Sequence, residues 1–227
     1  MAVTPHASRL TPRGYFVTGT DTGVGKTRVA VALVHALRAQ GLRVAVMKPV
    51  AAGCAPGAPN EDVRALMQAA NVAADVNDVN PYRFEAAIAP HIAAVQAGVR
   101  IELDRVAAAF ARLAARADTV VVEGAGGWRV PLNGREDMAD LAVRLGLPVL
   151  LVVGLRLGCL NHALLTADAA IRSGVPWAGW IGNVIDPAMA CLEDNLAALH
   201  ERLPGPCLGV APCEHGQVAV SRWRPEL

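Results

Sequence analysis

The sequence predicts an α/β fold in which a mostly parallel central sheet carries helices on both faces, as a single domain over residues 14–227. Three observations predict it. Short apolar runs alternate with longer stretches of helical apolar spacing, the pattern of strands joined by crossover helices. Two of those runs, TVVV at 119–122 and VLLVV at 149–153, have no charged position, as in strands buried on both faces. A glycine-rich segment separates the first run from the first helical stretch, where a parallel sheet presents its ligand-binding loops.

Taken in order, residues 14–18 (GYFVT) read as the first strand. Residues 26–40 carry helical spacing through Val29, Leu33, Ala36 and Leu37, with Gly41 placed to end the helix. Residues 43–47 read as the second strand, and 62–70 and 101–117 as helices. The runs at 119–122 and 149–153 supply two central strands. Residues 161–173 read as a helix, 177–184 as a strand, 188–202 as a helix and 207–210 as the last strand. Residues 1–13 hold no apolar core segment and are expected to form a flexible leader rather than a secretory signal.

Composition narrows the function. Of 227 residues, 53% are apolar and 18% charged, enough for a large core and unlike a disordered chain. A net charge of +1 without blocks of like charge excludes a nucleic-acid footprint. The longest apolar stretch, 147–155, is broken by Pro148 and Gly154 and is too short to span a bilayer, so no membrane partner is expected. Five dispersed cysteines without a CxxC indicate neither a disulfide framework nor a zinc site, and fit a reducing cytoplasm.

The chemistry begins at Gly19-Thr20-Asp21-Thr22-Gly23-Val24-Gly25-Lys26-Thr27, between first strand and first helix. Glycines let successive backbone N–H groups converge on phosphate oxygens, and the helix N-terminus adds partial positive charge. Lys26 can reach terminal phosphates, and the Thr27 hydroxyl can coordinate Mg²⁺. Five residues, rather than the usual four, separate Gly19 from Gly25-Lys26-Thr27. With the element order, this loop specifies a P-loop NTPase-type fold. Glu123 ends the run at 119–122, where an acid helps hold Mg²⁺. Asp62, at an expected helix start, reads first as a capping or first-turn acid. Lys48 ends the second strand facing the loop, placed to stabilise charge on a transferring phosphoryl group. Lys26 and Lys48 are the chain's only lysines.

These motifs together resemble the dethiobiotin synthetases. The matches are YFVTGTDTGVGKT (from Tyr15), MKPVAAG (from Met47), VNPYRF (from Val79), APHIAA (from Ala89), VVVEGAGGW (from Val120), LPVLLVVGLRLGCLNHALLTA (from Leu147) and AGWIGN (from Ala178). The five-residue loop spacing is itself the family's form. The resemblance implies an ATP-dependent ligase. One amine of 7,8-diaminononanoate captures CO₂ as a carbamate, ATP phosphorylates it, and the neighbouring amine closes the ureido ring, giving dethiobiotin, ADP and phosphate. It implies Mg²⁺ ligands at Thr27, Asp62 and Glu123, so Asp62 gains a metal role on family grounds. Thr22, Lys26 and Lys48 would act on phosphates or carbamate, with Gly23, Val24, Gly25, Lys26 and Thr27 cradling the nucleotide. Asn183 would read adenine, with Pro212 in the loop flanking the base. Lys48, Ala52, Glu123 and Gly126 would contact the substrate. Gly158, Cys159, Leu160 and Asn161 would meet its tail carboxylate from the partner subunit of a homodimer. Family members often carry Glu at Gly23 and Ser at Ala52; losing that serine's hydrogen bond weakens substrate binding by about 0.5–1.5 kcal/mol.

Two other readings compete. Cobyrinate-type amide ligases share this ATPase module but add a glutaminase domain, for which 227 residues leave no room. Switch ATPases of the partitioning type place a signature lysine early in the phosphate loop, where this chain has Thr20 and Asp21.

Overall fold

The computed structural model describes residues 13–55, 59–213 and 224–226. Its first half runs β1 (Gly14–Gly19), α1 (Lys26–Ala39), β2 (Val44–Met47), β3 (Val50–Ala51), α2 (Glu61–Ala69), α3 (Val76–Val79), β4 (Tyr82–Arg83), α4 (Pro90–Gln96) and α5 (Leu103–Ala114). The second half runs β5 (Thr119–Glu123), α6 (Met138–Leu145), β6 (Val149–Leu155), α7 (Cys159–Arg172), β7 (Trp177–Val184), α8 (Leu192–Arg202) and β8 (Cys207–Ala211). Six strands form a sheet in the order β2-β5-β1-β6-β7-β8, and every pairing is parallel. β3 and β4 make a separate two-residue parallel pair.

The direction of the crossovers puts helices on both faces. From β1, α1 carries the chain across β5 to the β2 edge; the later crossovers carry it back through β5 to β6, β7 and β8. Right-handed connections running in opposite directions lie on opposite faces. β2, β5 and β6 are buried at every position, as a doubly covered sheet requires. Phe16, Leu33, Met47, Leu113, Leu150 and Trp180 are among the largest fully buried side chains.

Register then fixes the site. Met47 lies opposite Val122, so Lys48 and Glu123, one residue further on each strand, emerge side by side at the carboxyl edge. Val17 lies opposite Glu123, which brings the phosphate loop beyond Gly19 to the same edge.

Several bounds differ from the sequence reading. α7 starts at Cys159 rather than 161, because Gly158 (φ 93°) takes the left-handed turn that opens it. α8 starts at Leu192 rather than 188, after Cys191 at φ 54°. α5 is shorter than the span 101–117. Elements α3, α4, β3 and β4 are too short for a period to register. α6 did carry a legible signal: Asp137 and Asp140 form a reciprocal capping box, and Gly146 closes the helix in the left-handed region. The expected leader, residues 1–13, lies outside the described residues except for Arg13, as does the tail from residue 214 except for 224–226.

Candidate active site

β1 delivers its last glycine to a loop that ends in α1. The N-cap of α1 is Gly25, at φ 87°, where a Cβ would come within 2.1 Å of the Asn183 amide nitrogen. Only glycine fits both the left-handed backbone and that close approach. No side chain caps α1, and its first turn holds no acid, so its leading N–H groups face outward for an anion. α7 opens the same way, on left-handed Gly158 with no side-chain cap and no first-turn acid.

Beside the loop, Lys48 Nζ donates to Asp62 Oδ2 at 2.5 Å and to Glu123 Oε1 at 2.6 Å. The Thr27 hydroxyl donates to the same Glu123 Oε1 at 2.8 Å. Asp62 sits in the first turn of α2, whose N-cap is Asn60: the Asn60 side chain accepts from the Asp62 amide. The capping role expected of Asp62 thus falls to Asn60, leaving the Asp62 carboxylate to face Lys48. Burial pulls the Lys48 ammonium down, but Glu123 and Asp62 outweigh it and hold it above the ordinary lysine value. Burial pushes Asp62 up, but Lys48 and Thr27 outweigh it and hold its carboxyl below the usual range. Lys26 donates to the Asp21 carbonyl at 2.8 Å; burial pulls it down to about 8, against the attraction of Glu123.

One oxygen stands out. Glu123 is 1% exposed, yet its Oε2 is buried with no hydrogen-bond partner among the described residues. An unsatisfied buried acceptor costs about 1–3 kcal/mol. A hydroxyl, a half-exposed carboxylate and this orphan oxygen form a hard, all-oxygen donor set suited to Mg²⁺. Among the described residues, no group of three or more His, Cys, Asp or Glu side chains is arranged to hold a metal. Oxygen donors of this kind fit a hard divalent ion.

These groups line a cleft of about 690 Å³. Thr22, Gly23, Gly25, Lys26, Thr27, Lys48, Ala52, Asp62, Glu123 and Gly126, ten of the residues singled out in the sequence, share its wall. Val24, Asn183 and Pro212 stand at one remove. Asn183 donates to the Val24 carbonyl at 2.9 Å and accepts from Arg28 Nη1 at 2.9 Å, and the same Nη1 donates to the Pro212 carbonyl at 2.6 Å. Gly158, Cys159, Leu160 and Asn161 do not line this chain's cleft. The sequence reading passed over Arg28, although its place directly after Gly25-Lys26-Thr27 was a signal. It also passed over Ile88, and gave no site role to Ala89 and Pro90, which begin the APHIAA match; all three lie in the apolar part of the cleft wall.

Comparison with known proteins decides the family. A family model described as an AAA domain matches residues 13–219. The ATP-dependent dethiobiotin synthetase BioD of Pseudomonas paraeruginosa (strain DSM 24068 / PA7) is 54% identical over 213 residues, covering 91% of this chain and 93% of that protein. This chain belongs to the dethiobiotin synthetase family. The enzymes of the same name from Nitrosospira multiformis and Aromatoleum aromaticum are 53% and 51% identical, covering 91% and 94% of this chain and 91% and 98% of their own lengths. Among solved structures, the MinD cell division protein of Aquifex aeolicus aligns with a TM-score of 0.54 at 18% identity, covering 89% of this chain and 83% of that one. A ParA family ATPase from Chlorobium tepidum gives 0.53 at 12%, covering 89% and 85%. At such identities these neighbours show the P-loop fold alone.

Proposed function

We propose that this dethiobiotin synthetase couples ATP to ureido-ring closure on 7,8-diaminononanoate, with CO₂ as the carbon source, giving dethiobiotin, ADP and phosphate. The observation that carries the reading is the single ammonium of Lys48, held between Asp62 and Glu123 against the phosphate loop. The cleft needs no nucleophile and no general base of unusual basicity. A carbamate is already an anion, and its phosphorylation requires chiefly that two negatively charged partners be held together. Lys26 takes the terminal phosphates, and Lys48 takes the carbamate or the phosphoryl group moving to it. Thr22, beside Gly126 at the cleft wall, supplies a further hydroxyl to the reacting groups.

Thr27, Asp62 and Glu123 would hold Mg²⁺, which would neutralise phosphate charge when bound. The orphan Glu123 oxygen supports this assignment. Asn183 would read adenine. Beyond its bonds to Arg28 and Val24, its carboxamide keeps one lone pair and one N–H, the pair that the N6/N7 edge of adenine requires.

The protein acts as a homodimer in this reading, with Gly158 to Asn161 completing the partner's site. Two helices open on left-handed glycines without caps: α1 faces the phosphates, and α7 offers its amides to the substrate's tail carboxylate. Leu157, 92% exposed beside that N-terminus, supports burial of this corner against a second copy. A cytoplasmic location is in keeping with five cysteines that are all free and with the lack, among the described residues, of any helix able to cross a membrane.

The test is phosphate release by the purified protein with ATP and Mg²⁺. Release should require both diamine and bicarbonate, with a ureido product heavier than the diamine by one carbonyl less two hydrogens by mass spectrometry. Release that ignores the diamine, or that responds to DNA instead, defeats the reading.

A further inference from the structure

Arg28 joins three parts of the chain that approach the nucleotide separately. It lies in the first turn of α1, lines the cleft, and donates from one nitrogen to the Asn183 side chain at the carboxyl end of β7 and to the Pro212 carbonyl just beyond β8. Asn183, 3% exposed, passes the constraint on through its own donation to the Val24 carbonyl. That carbonyl belongs to the peptide bond leading into Gly25, the left-handed residue that aims the α1 amides at the phosphate site.

The chemistry of the three groups fixes their order. Guanidinium only donates, and a backbone carbonyl only accepts. Arg28 therefore holds the carboxamide oxygen of Asn183 toward itself and the NH₂ toward Val24. Without Arg28 the carboxamide is held by the Val24 carbonyl alone, and in the other orientation its oxygen would face that carbonyl. The amide nitrogen also fills the space beside Gly25, since a Cβ there would lie 2.1 Å from it. A displaced Asn183 thus lets the loop sag into that space.

We propose that Arg28 is a positioning residue for nucleotide binding, bracing Asn183 against the phosphate loop so that the loop keeps its anion-binding shape before any phosphate arrives. The inference rests on the reading of this loop as the nucleotide site, and on nothing in the later chemistry.

Binding of ADP with Mg²⁺, and separately of tripolyphosphate with Mg²⁺, is measured by calorimetry on the whole chain and on Arg28→Leu, Arg28→Lys, Asn183→Ala and the Arg28→Leu/Asn183→Ala double variant. Tripolyphosphate has no base, so it reports on the loop alone. Arg28→Leu should weaken tripolyphosphate roughly ten- to a hundredfold, the range for a hydrogen bond from a charged donor, and ADP by at least that factor, because a displaced Asn183 also loses the base. Arg28→Lys should fall between wild type and Arg28→Leu, and it remains informative if Arg28→Leu melts early. In the Asn183→Ala background the Leu substitution should add less than threefold. KM for ATP should rise with kcat changed less than twofold, a split that general damage to the fold does not produce. Three results overturn the proposal: unchanged ADP affinity, weakened ADP with unchanged tripolyphosphate, or additive effects of the two substitutions. Failure of the wild-type chain to bind either probe would instead overturn the reading of the loop.

Discussion

Replacing Lys48 with methionine tests the centre of the site. The substitution keeps the stem's volume and removes the charge. The Lys48 side chain is 8% exposed and that of Glu123 is 1%, so a buried carboxylate loses its cation. Breaking a buried pair by deleting one partner costs about 3–5 kcal/mol. The lower end applies here for two reasons. Thr27 continues to donate to Glu123 Oε1 at 2.8 Å, and Asp62, 41% exposed, is resolvated by water and adds little. A loss of about 3 kcal/mol lowers the melting midpoint by roughly 6–12 °C in a chain of this size. Thermal denaturation followed by circular dichroism at pH 7, without nucleotide or Mg²⁺, reads this directly. Lys48→Met/Glu123→Gln should regain most of the loss, because no buried charge is left behind, while diamine-dependent phosphate release stays abolished. A single variant melting within 2 °C of wild type, or a double variant as unstable as the single, would refute the argument that this pair is buried and coupled.

Three further outcomes follow from the site. Thr27→Val removes the hydroxyl beside Glu123 Oε1, and in a titration of phosphate release the Mg²⁺ concentration giving half activity should rise by at least tenfold; an unchanged midpoint removes Thr27 from the metal site. Gly25→Ala forces a side chain into a left-handed backbone, at a cost of about 1–2 kcal/mol, and against the Asn183 nitrogen, so ADP affinity measured by calorimetry should fall more than tenfold. Lys26, lowered to about 8, binds phosphate only as the cation, so kcat/KM for ATP should decline as pH rises through about 8. The sign for stability is opposite. Between about 8 and the ordinary lysine value the unfolded chain holds the extra proton, so this residue's contribution to stability rises with pH across that window. Rate profiles at subsaturating and saturating ATP separate the two, because bound phosphate keeps Lys26 charged and moves the decline in kcat to higher pH.

What could be read in advance divides along physical lines. Long periodic segments and uniformly apolar runs are local signals, and α1, β5, β6 and β7 fell close to where their residues placed them. Lys48 and Glu123 were legible because a strand's last residue announces itself by an abrupt change from apolar to charged. Their adjacency was not, since it depends on the Met47–Val122 register, a relation between segments 75 positions apart. Asp62 was half legible: it is the first-turn acid its position announced, but Asn60 takes the cap and only the fold sets its carboxylate against Lys48. Asn60, two residues before it, was an equally good cap, and the local Asn60–Asp62 bond decides between them. Arg28 was hidden because its partners, Asn183 and Pro212, come together only when β7 and β8 are laid side by side.

The chain's two lysines are both inside, 7% and 6% exposed, and every other strongly basic side chain is arginine. Amine-reactive reagents therefore have no surface lysine to consume them. Besides the α-amine, an activated ester meets only the two ammonium groups that face the cleft. The lowered value of Lys26 and the raised value of Lys48 make the former the better nucleophile in mildly alkaline solution. Covalent labelling thus becomes a reporter of occupancy: the mass added to the Lys26 peptide, with and without nucleotide, counts filled sites on the unmodified protein.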